Sequence, residues 1–302
     1  MAKDLLVFGT LGFDSVTTPF GKIERGFGGS GAFAAVAASH FIRPAMVGAI
    51  GKDFDPAFID VLEKRRIDTS GLFQKNGKSF SWKAHYGFDV NTAFTDEVDP
   101  SILFDYDPVV PERFHSSRFV LLGNSSPDHQ LRVLDQIRPK PLLSVCDTMN
   151  YYIEKEPAKV KHMVRTAHIG LMNDAEARQL FNTPNLRKAA NEILDLDSRF
   201  AIIKKGEHGA VLFTRKGFFS VPGYPLENVR DPTGCGDSFA GAFLGYLAQQ
   251  ENQHEKNVRK AMVWGSVVAS FNAEDFSFKR QLELTKTDLR DRYNEFKSFV
   301  RF

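Results

Sequence analysis

Cysteine is scarce in this 302-residue chain, which carries only Cys146 and Cys235. Two thiols cannot build a disulfide framework or a four-ligand zinc site, so stability must come from a packed core. Long hydrophobic runs are also missing. The start "MAKDLLVFGT" has only Leu5 to Phe8 before Gly9, far short of a signal-peptide core or a membrane span, which leads to the expectation of a cytoplasmic protein with no membrane partner. There is no excess of charge of one sign. Thirty-nine Lys and Arg face thirty-seven Asp and Glu, for a net charge of +2, which argues against a nucleic-acid partner. The eight histidines show no metal-ligand spacing, and there are no heptads, repeats, low-complexity tracts or long linkers. What remains is 42% hydrophobic and 25% charged, the makeup of an ordinary globule whose length suits a single α/β domain spanning 1–302.

Short apolar runs alternate with helical patterns. Leu5 to Phe8 reads as a strand, Ser30 to Phe41 as a helix, Met46 to Ile50 as a strand and Pro56 to Lys64 as a helix. Further strands are expected at Phe119 to Gly123, Pro141 to Asp147, His168 to Asn173 and Phe200 to Gly206. Such alternation predicts a mostly parallel sheet flanked by helices. The stretch "SFSWKAHYG" breaks the rhythm, because Phe80, Trp82, Ala84 and Tyr86 alternate with polar residues as in a strand with unlike faces. With "NTAFTDEV" it predicts a hairpin. A second extended pair, Ser15 to Thr17 and Lys22 to Arg25 across "PFG", would join it in a small sheet projecting as a lid from about 15–26 and 79–98. An edge of the main sheet is the alternative.

The stretch "RDPTGCGDSFAGAFLGYLA" poses a chemical question. Gly234, Cys235 and Gly236 open a helix, where unsatisfied backbone N–H groups attract anions, yet Asp237 follows at once. Asp237 could cap the helix, but capping does not require three small residues before it. Two functions sharing one turn explain both features: the amides hold a transferring phosphoryl group while Asp237 takes a proton from the attacking hydroxyl.

This turn resembles the second signature of the ribokinase-like (PfkB) sugar and nucleoside kinases, D-T-x-G-A-G-D, through Asp231, Thr233, Gly234, Cys235, Gly236 and Asp237, with Pro232 and Cys235 as small departures. Gly26-x-Gly28-x-x-Gly31 formally fits a dinucleotide fingerprint, but "GKIER" precedes it instead of a buried strand. It is more similar to the family's first signature, which implies substrate-binding roles for Gly28, Gly29 and Ser30. Where the family usually has Asn, this chain has Phe33, so a base-stacking contact or a rearranged sugar pocket is expected there.

The resemblance further implies that Asp14 grips acceptor hydroxyls, an Asx-turn being the plainer reading. It gives Asn173 and Glu176, the N-x-x-E motif in "LMNDAEARQLF", a place near Mg²⁺ and its waters, and the same spacing fits a capping box. "IIKKGEHGAVLF" is similar to the family's nucleotide loop, with Gly206, Gly209 and Lys204 or Lys205 near the phosphates; a plain hairpin turn is the alternative. Ser266 would flank the adenine. Asn124 is expected in the substrate pocket, whereas Asp147 and Asn150 read as turn formers. Asp231 and Thr233 would border a monovalent cation such as K⁺. Together these imply an ATP- and Mg²⁺-dependent kinase acting on a sugar or nucleoside hydroxymethyl group, monomeric or dimeric through the lid. Phe80, Trp82 and Tyr86 favour a nucleoside by offering ring faces. The alternative is a non-catalytic nucleotide- or sugar-sensing protein on the same fold.

Overall fold

The structure is a computed structural model that describes residues 4–300. Its main sheet has nine strands: β1 (Leu5–Phe8), β4 (Ala45–Ile50), β5 (Asp68–Gln74), β8 (Phe119–Leu122), β9 (Leu143–Cys146), β10 (Ile169–Asn173), β11 (Phe200–Lys204), β12 (Ala210–Thr214) and β13 (Gly217–Val221). Their order is β13-β12-β11-β10-β9-β8-β1-β4-β5. Pairing is parallel from β5 through β11, and β12 and β13 close one edge as antiparallel strands.

The short central strands are buried on both faces, which is why they read as unbroken apolar runs. Period-two geometry then splits each strand between two cores. Leu5 and Val7 pack with the helices Ser30–Ala38, Cys235–Ala248 and Glu255–Asn272. Leu6 and Phe8 pack with Pro127–Asp135, Pro157–Thr166 and Leu186–Asp195 on the other side. Among the described residues no helix is long and apolar enough to cross a membrane.

A second sheet holds β2 (Gly12–Thr18), β3 (Gly21–Gly28), β6 (Phe80–Tyr86) and β7 (Ala93–Asp99) in the order β3-β2-β6-β7. Both hairpins are present, joined by a parallel β2–β6 seam. The root of this sheet is held by a cluster of rings: Phe27 stacks on Phe58 at 4.6 Å and meets Phe54 and Phe278 edge-on at 5.4 and 5.0 Å. The polar, alternating β5 is an edge strand with no apolar run to announce it. The first helix is shorter than its sequence suggests, ending at Ala38, after which residues 39–41 continue as turns.

Candidate active site

The carboxyl ends of adjacent parallel strands form a crevice, and strand order reverses at β1, which lies between β4 and β8. Asn173 and Lys204 are the last residues of β10 and β11 and sit side by side in register. Asp147 immediately follows β9, and Asn124 follows β8 by two residues. Four polar side chains therefore stand in a row along one sheet edge.

Lys204 is the hub of this row. Its Nζ donates to Asp147 Oδ2 at 2.6 Å, with the two side chains only 15% and 5% exposed. A Cβ built on Gly236 would lie 2.9 Å from the same Nζ, so the ammonium rests against the start of the helix Cys235–Ala248. Burial pulls the Lys204 pKa down, but Asp147, Glu176 and Asp237 outweigh it and hold the ammonium above its ordinary value. Three carboxyls thus surround one cation. Burial and the neighbouring Asp147 push Asp237 up to about 7 and Glu176 up to about 8, with Lys204 opposing both shifts.

The glycine turn ahead of Asp237 is built by local geometry. Gly234 adopts φ +74°, a left-handed conformation that suits glycine. Ser238 N donates to Gly234 O at 2.8 Å and starts the helix, and Cys235 N donates to Pro232 O at 3.1 Å. Cys235 N–H is therefore committed to the turn, which corrects the expectation that three consecutive amides face a ligand. The N–H groups of Gly234 and Gly236 carry no hydrogen bond among the described residues. Burial also pushes the Cys235 thiol up to about 12, so it stays protonated.

A buried relay fixes this turn from behind. Asn272 Nδ2 donates to Thr233 O at 2.7 Å, and Gln281 Nε2 donates to Asn272 Oδ1 at 2.7 Å and to Ser238 Oγ at 2.8 Å. Sequence reading missed both amides, which carry no local motif.

Asp14 lies on β2 and is buried, its Oδ2 accepting from Gly29 N at 3.4 Å. A Cβ on Gly28 would stand 2.0 Å from the same oxygen. Burial raises the Asp14 pKa to about 7 against the Gly29 amide, and Asp231 and Asp237 raise it further. Asp14 and Asp237 thus lie near enough to act on each other electrostatically.

Other expected residues sit differently. Ser30 Oγ donates to Asn124 O at 2.9 Å and accepts from Thr10 N at 3.1 Å, so this hydroxyl ties loops together. Phe33 is 1% exposed, edge-on to Phe278 at 5.3 Å and packed against Gly234. Stacking on a base is therefore corrected: no ring face is open. Asn124 Nδ2 contacts Met149 Sδ at 3.1 Å, while its Oδ1 is buried without a partner among the described residues.

Asn173 and Glu176 form a reciprocal capping box, at 2.7 and 2.8 Å. Both readings of that motif remain compatible, because the Glu176 carboxyl still sits among the charged groups around Lys204. Gly206 opens and Gly209 follows a single 3-10 turn, Gly206–His208, that joins β11 to β12 as a hairpin. Ser266 is buried on Glu255–Asn272. Asp231, 1% exposed, accepts from Thr233 N at 2.9 Å. Tyr86, at the end of β6, places its hydroxyl 3.1 Å from Thr233 Oγ1 and so joins the small sheet to the turn ahead of Asp237.

Comparison with known proteins places this geometry. The chain is 27% identical over 250 residues to a cytidine kinase of Thermococcus kodakarensis, covering 80% of this chain and 88% of that protein. A nucleoside kinase of Burkholderia thailandensis in complex with inosine superposes with a TM-score of 0.79 at 18% identity, covering 96% of this chain and 97% of the other. A fructokinase double mutant of Vibrio cholerae, in fructose, ADP and potassium ion bound form, gives a TM-score of 0.80 at 18% identity over 97% and 99% of the two chains. The family model described as pfkB family carbohydrate kinase matches residues 6–280, from β1 through the helix Glu255–Asn272. The ribokinase-like sheet, the glycine turn ahead of Asp237 and this match agree: the chain belongs to the pfkB family of carbohydrate kinases.

Proposed function

We propose that the protein is an ATP-dependent phosphotransferase that moves the γ-phosphoryl group onto a hydroxymethyl group of a small acceptor, a nucleoside in preference to a free sugar. The observation that carries this reading is the Asp237 carboxyl at a helix start whose Gly234 and Gly236 amides have no acceptor among the described residues, with the Lys204 ammonium alongside. Asp237 takes the proton from the acceptor hydroxyl as its oxygen attacks the γ-phosphorus. The bond to the β,γ-bridging oxygen breaks and ADP leaves. A base titrating near 7 is matched to this task. The two amides and Lys204 meet the charge on the transferring group.

Asp14 holds adjacent acceptor hydroxyls, and the unpartnered Asn124 Oδ1 offers an acceptor to a hydroxyl or amino group. Preference for a nucleoside rests on similarity to the cytidine kinase and on the inosine-bound neighbour, not on Phe33. Lys204, Gly206, Gly209 and Ser266 form the nucleotide side. Among the described residues no three carboxylate, histidine or cysteine side chains converge to hold a metal directly. The excess of carboxyls around Lys204 fits Mg²⁺ carried on ATP phosphates, with Asn173 and Glu176 holding its waters. Asp231 is a buried carboxylate with no cationic side-chain partner among the described residues, which fits a monovalent cation beside Thr233.

Asp237→Asn is expected to abolish transfer while leaving ATP binding intact. ADP release with adenosine, inosine, cytidine, ribose and fructose, measured beside ATP affinity, provides the check. Near-normal turnover in the variant would overturn the assignment.

A further inference from the structure

The hairpin β6–β7 reaches two places at once. The end of β6, beside the connection, touches the turn ahead of Asp237 through Tyr86 and Thr233. The connecting segment touches the nucleotide loop: Asn91 Oδ1 accepts from Glu207 N at 3.1 Å, and Asn91 Nδ2 donates to Glu207 Oε1 at 2.9 Å. The side-chain amide thus pairs with both the backbone and the side chain of one residue, a two-point grip that fixes orientation as well as distance.

Asn91 is itself held in place. Its N–H and its Nδ2 both donate to Asp89 Oδ1 at 2.9 Å. The fit to the loop is close, since Gly206 adopts φ +53° and a Cβ there would stand 2.2 Å from Asn91 Oδ1. Any larger residue at position 206 would displace the grip. Glu207 lies in the 3-10 turn that directly follows Lys204 and Lys205, so a group that holds Glu207 also holds the end of β11 from which Lys204 projects.

Resting on the kinase reading above, we propose that Asn91 is a positioning residue that links the acceptor-side sheet to the nucleotide loop, so that seating a nucleotide steadies the β6–β7 hairpin and the hairpin in turn strengthens nucleotide binding. Linkage requires the effect to be reciprocal. Asn91 acts through Glu207 and touches no reacting atom.

The test uses the full chain with ADP as probe. Calorimetry gives the ADP Kd of wild type, Asn91→Ala and Asn91→Asp, and amide hydrogen exchange follows residues 87–92 with and without ADP. The expected result is that ADP slows exchange at residues 87–92 in wild type, that Asn91→Ala loses this protection, and that its ADP Kd rises about three- to tenfold. Asn91→Asp keeps an acceptor for Glu207 N but sets a carboxylate against Glu207, and it should show the same loss. In turnover, the ATP KM rises with kcat held, the pattern of lost uniform binding. If wild type binds ADP while both variants keep its Kd and its protection, this inference falls and the kinase reading stands. If wild type does not bind ADP, both fall.

Discussion

The ring of Phe33 occupies the space a side chain on Gly234 would need: a Cβ there would lie 2.3 Å from Phe33 Cδ1 and 2.4 Å from Cγ. One residue supplies a wall and the other the absence that accommodates it, which couples the helix Ser30–Ala38 to the turn ahead of Asp237. Phe33 therefore shapes the amide cradle from beneath.

Gly234→Ala should lower kcat about 10²-fold, the size expected when one preorganised anion donor is displaced. Pairing it with Phe33→Ala should restore part of the loss by removing the clash, while the left-handed strain at φ +74° remains. Steady-state kinetics of both proteins check this, and a loss below threefold in the single variant would refute it.

Lys204 and Asp147 should move the pH profile in opposite directions. Asp237 must be ionised to accept a proton, so kcat/KM rises with pH through a midpoint of about 7. Lys204 lowers the Asp237 pKa and Asp147 raises it. Lys204→Met should shift the acid limb upward, and Asp147→Asn downward, each by roughly one unit. Profiles of kcat/KM from pH 5 to 9 decide; shifts of the same sign would contradict the arrangement.

Asp14 makes stability pH-dependent. In the folded protein its carboxyl keeps a proton up to about 7, against an ordinary value of 3.8. Between those values the folded state binds more protons than the unfolded state, so this group's contribution to stability falls as pH rises. Asp14→Asn cannot ionise and should gain on the wild type as pH rises from about 4 to about 7, by up to on the order of 4 kcal/mol, with no further gain above. Thermal melts of both proteins without ligand test it, and parallel Tm curves would count against it.

Gly241 lies where the helices Ser30–Ala38 and Cys235–Ala248 meet, and a Cβ there would stand 2.0 Å from Ala34 O. That obstacle is backbone, which cannot step aside as a flexible side chain can. Gly241→Ala should cost about 3 kcal/mol through forced separation of the helices. A chemical denaturation midpoint unchanged from wild type would refute the close packing.

Local signals carried most of what sequence reading achieved. Leu5 to Phe8 and Phe119 to Leu122 announce parallel strands because both of their faces are apolar. Asn173 and Glu176 announce a helix start because their spacing suffices to close a capping box. The turn ahead of Asp237 is likewise contained within a few residues. Asp147 was legible only as a turn former, since the partner that gives it a charged role, Lys204, is 57 residues away. Asn91 and Glu207 lie 116 residues apart, and Asn272 meets Thr233 across 39. Such pairings follow from strand order, which no short motif encodes. Phe33 misled because an aromatic ring beside a binding loop has two possible destinations, and burial decided between them.

The glycine seam at Gly241, with the Asn272 relay behind Thr233, leaves the turn that carries Asp237 little room to travel. The ring cluster around Phe27 pins the near end of the four-stranded sheet in the same way. The tip of the β6–β7 hairpin is tied through side chains instead, Tyr86 to Thr233 and Asn91 to Glu207, so the small sheet is latched to the main one rather than fused with it.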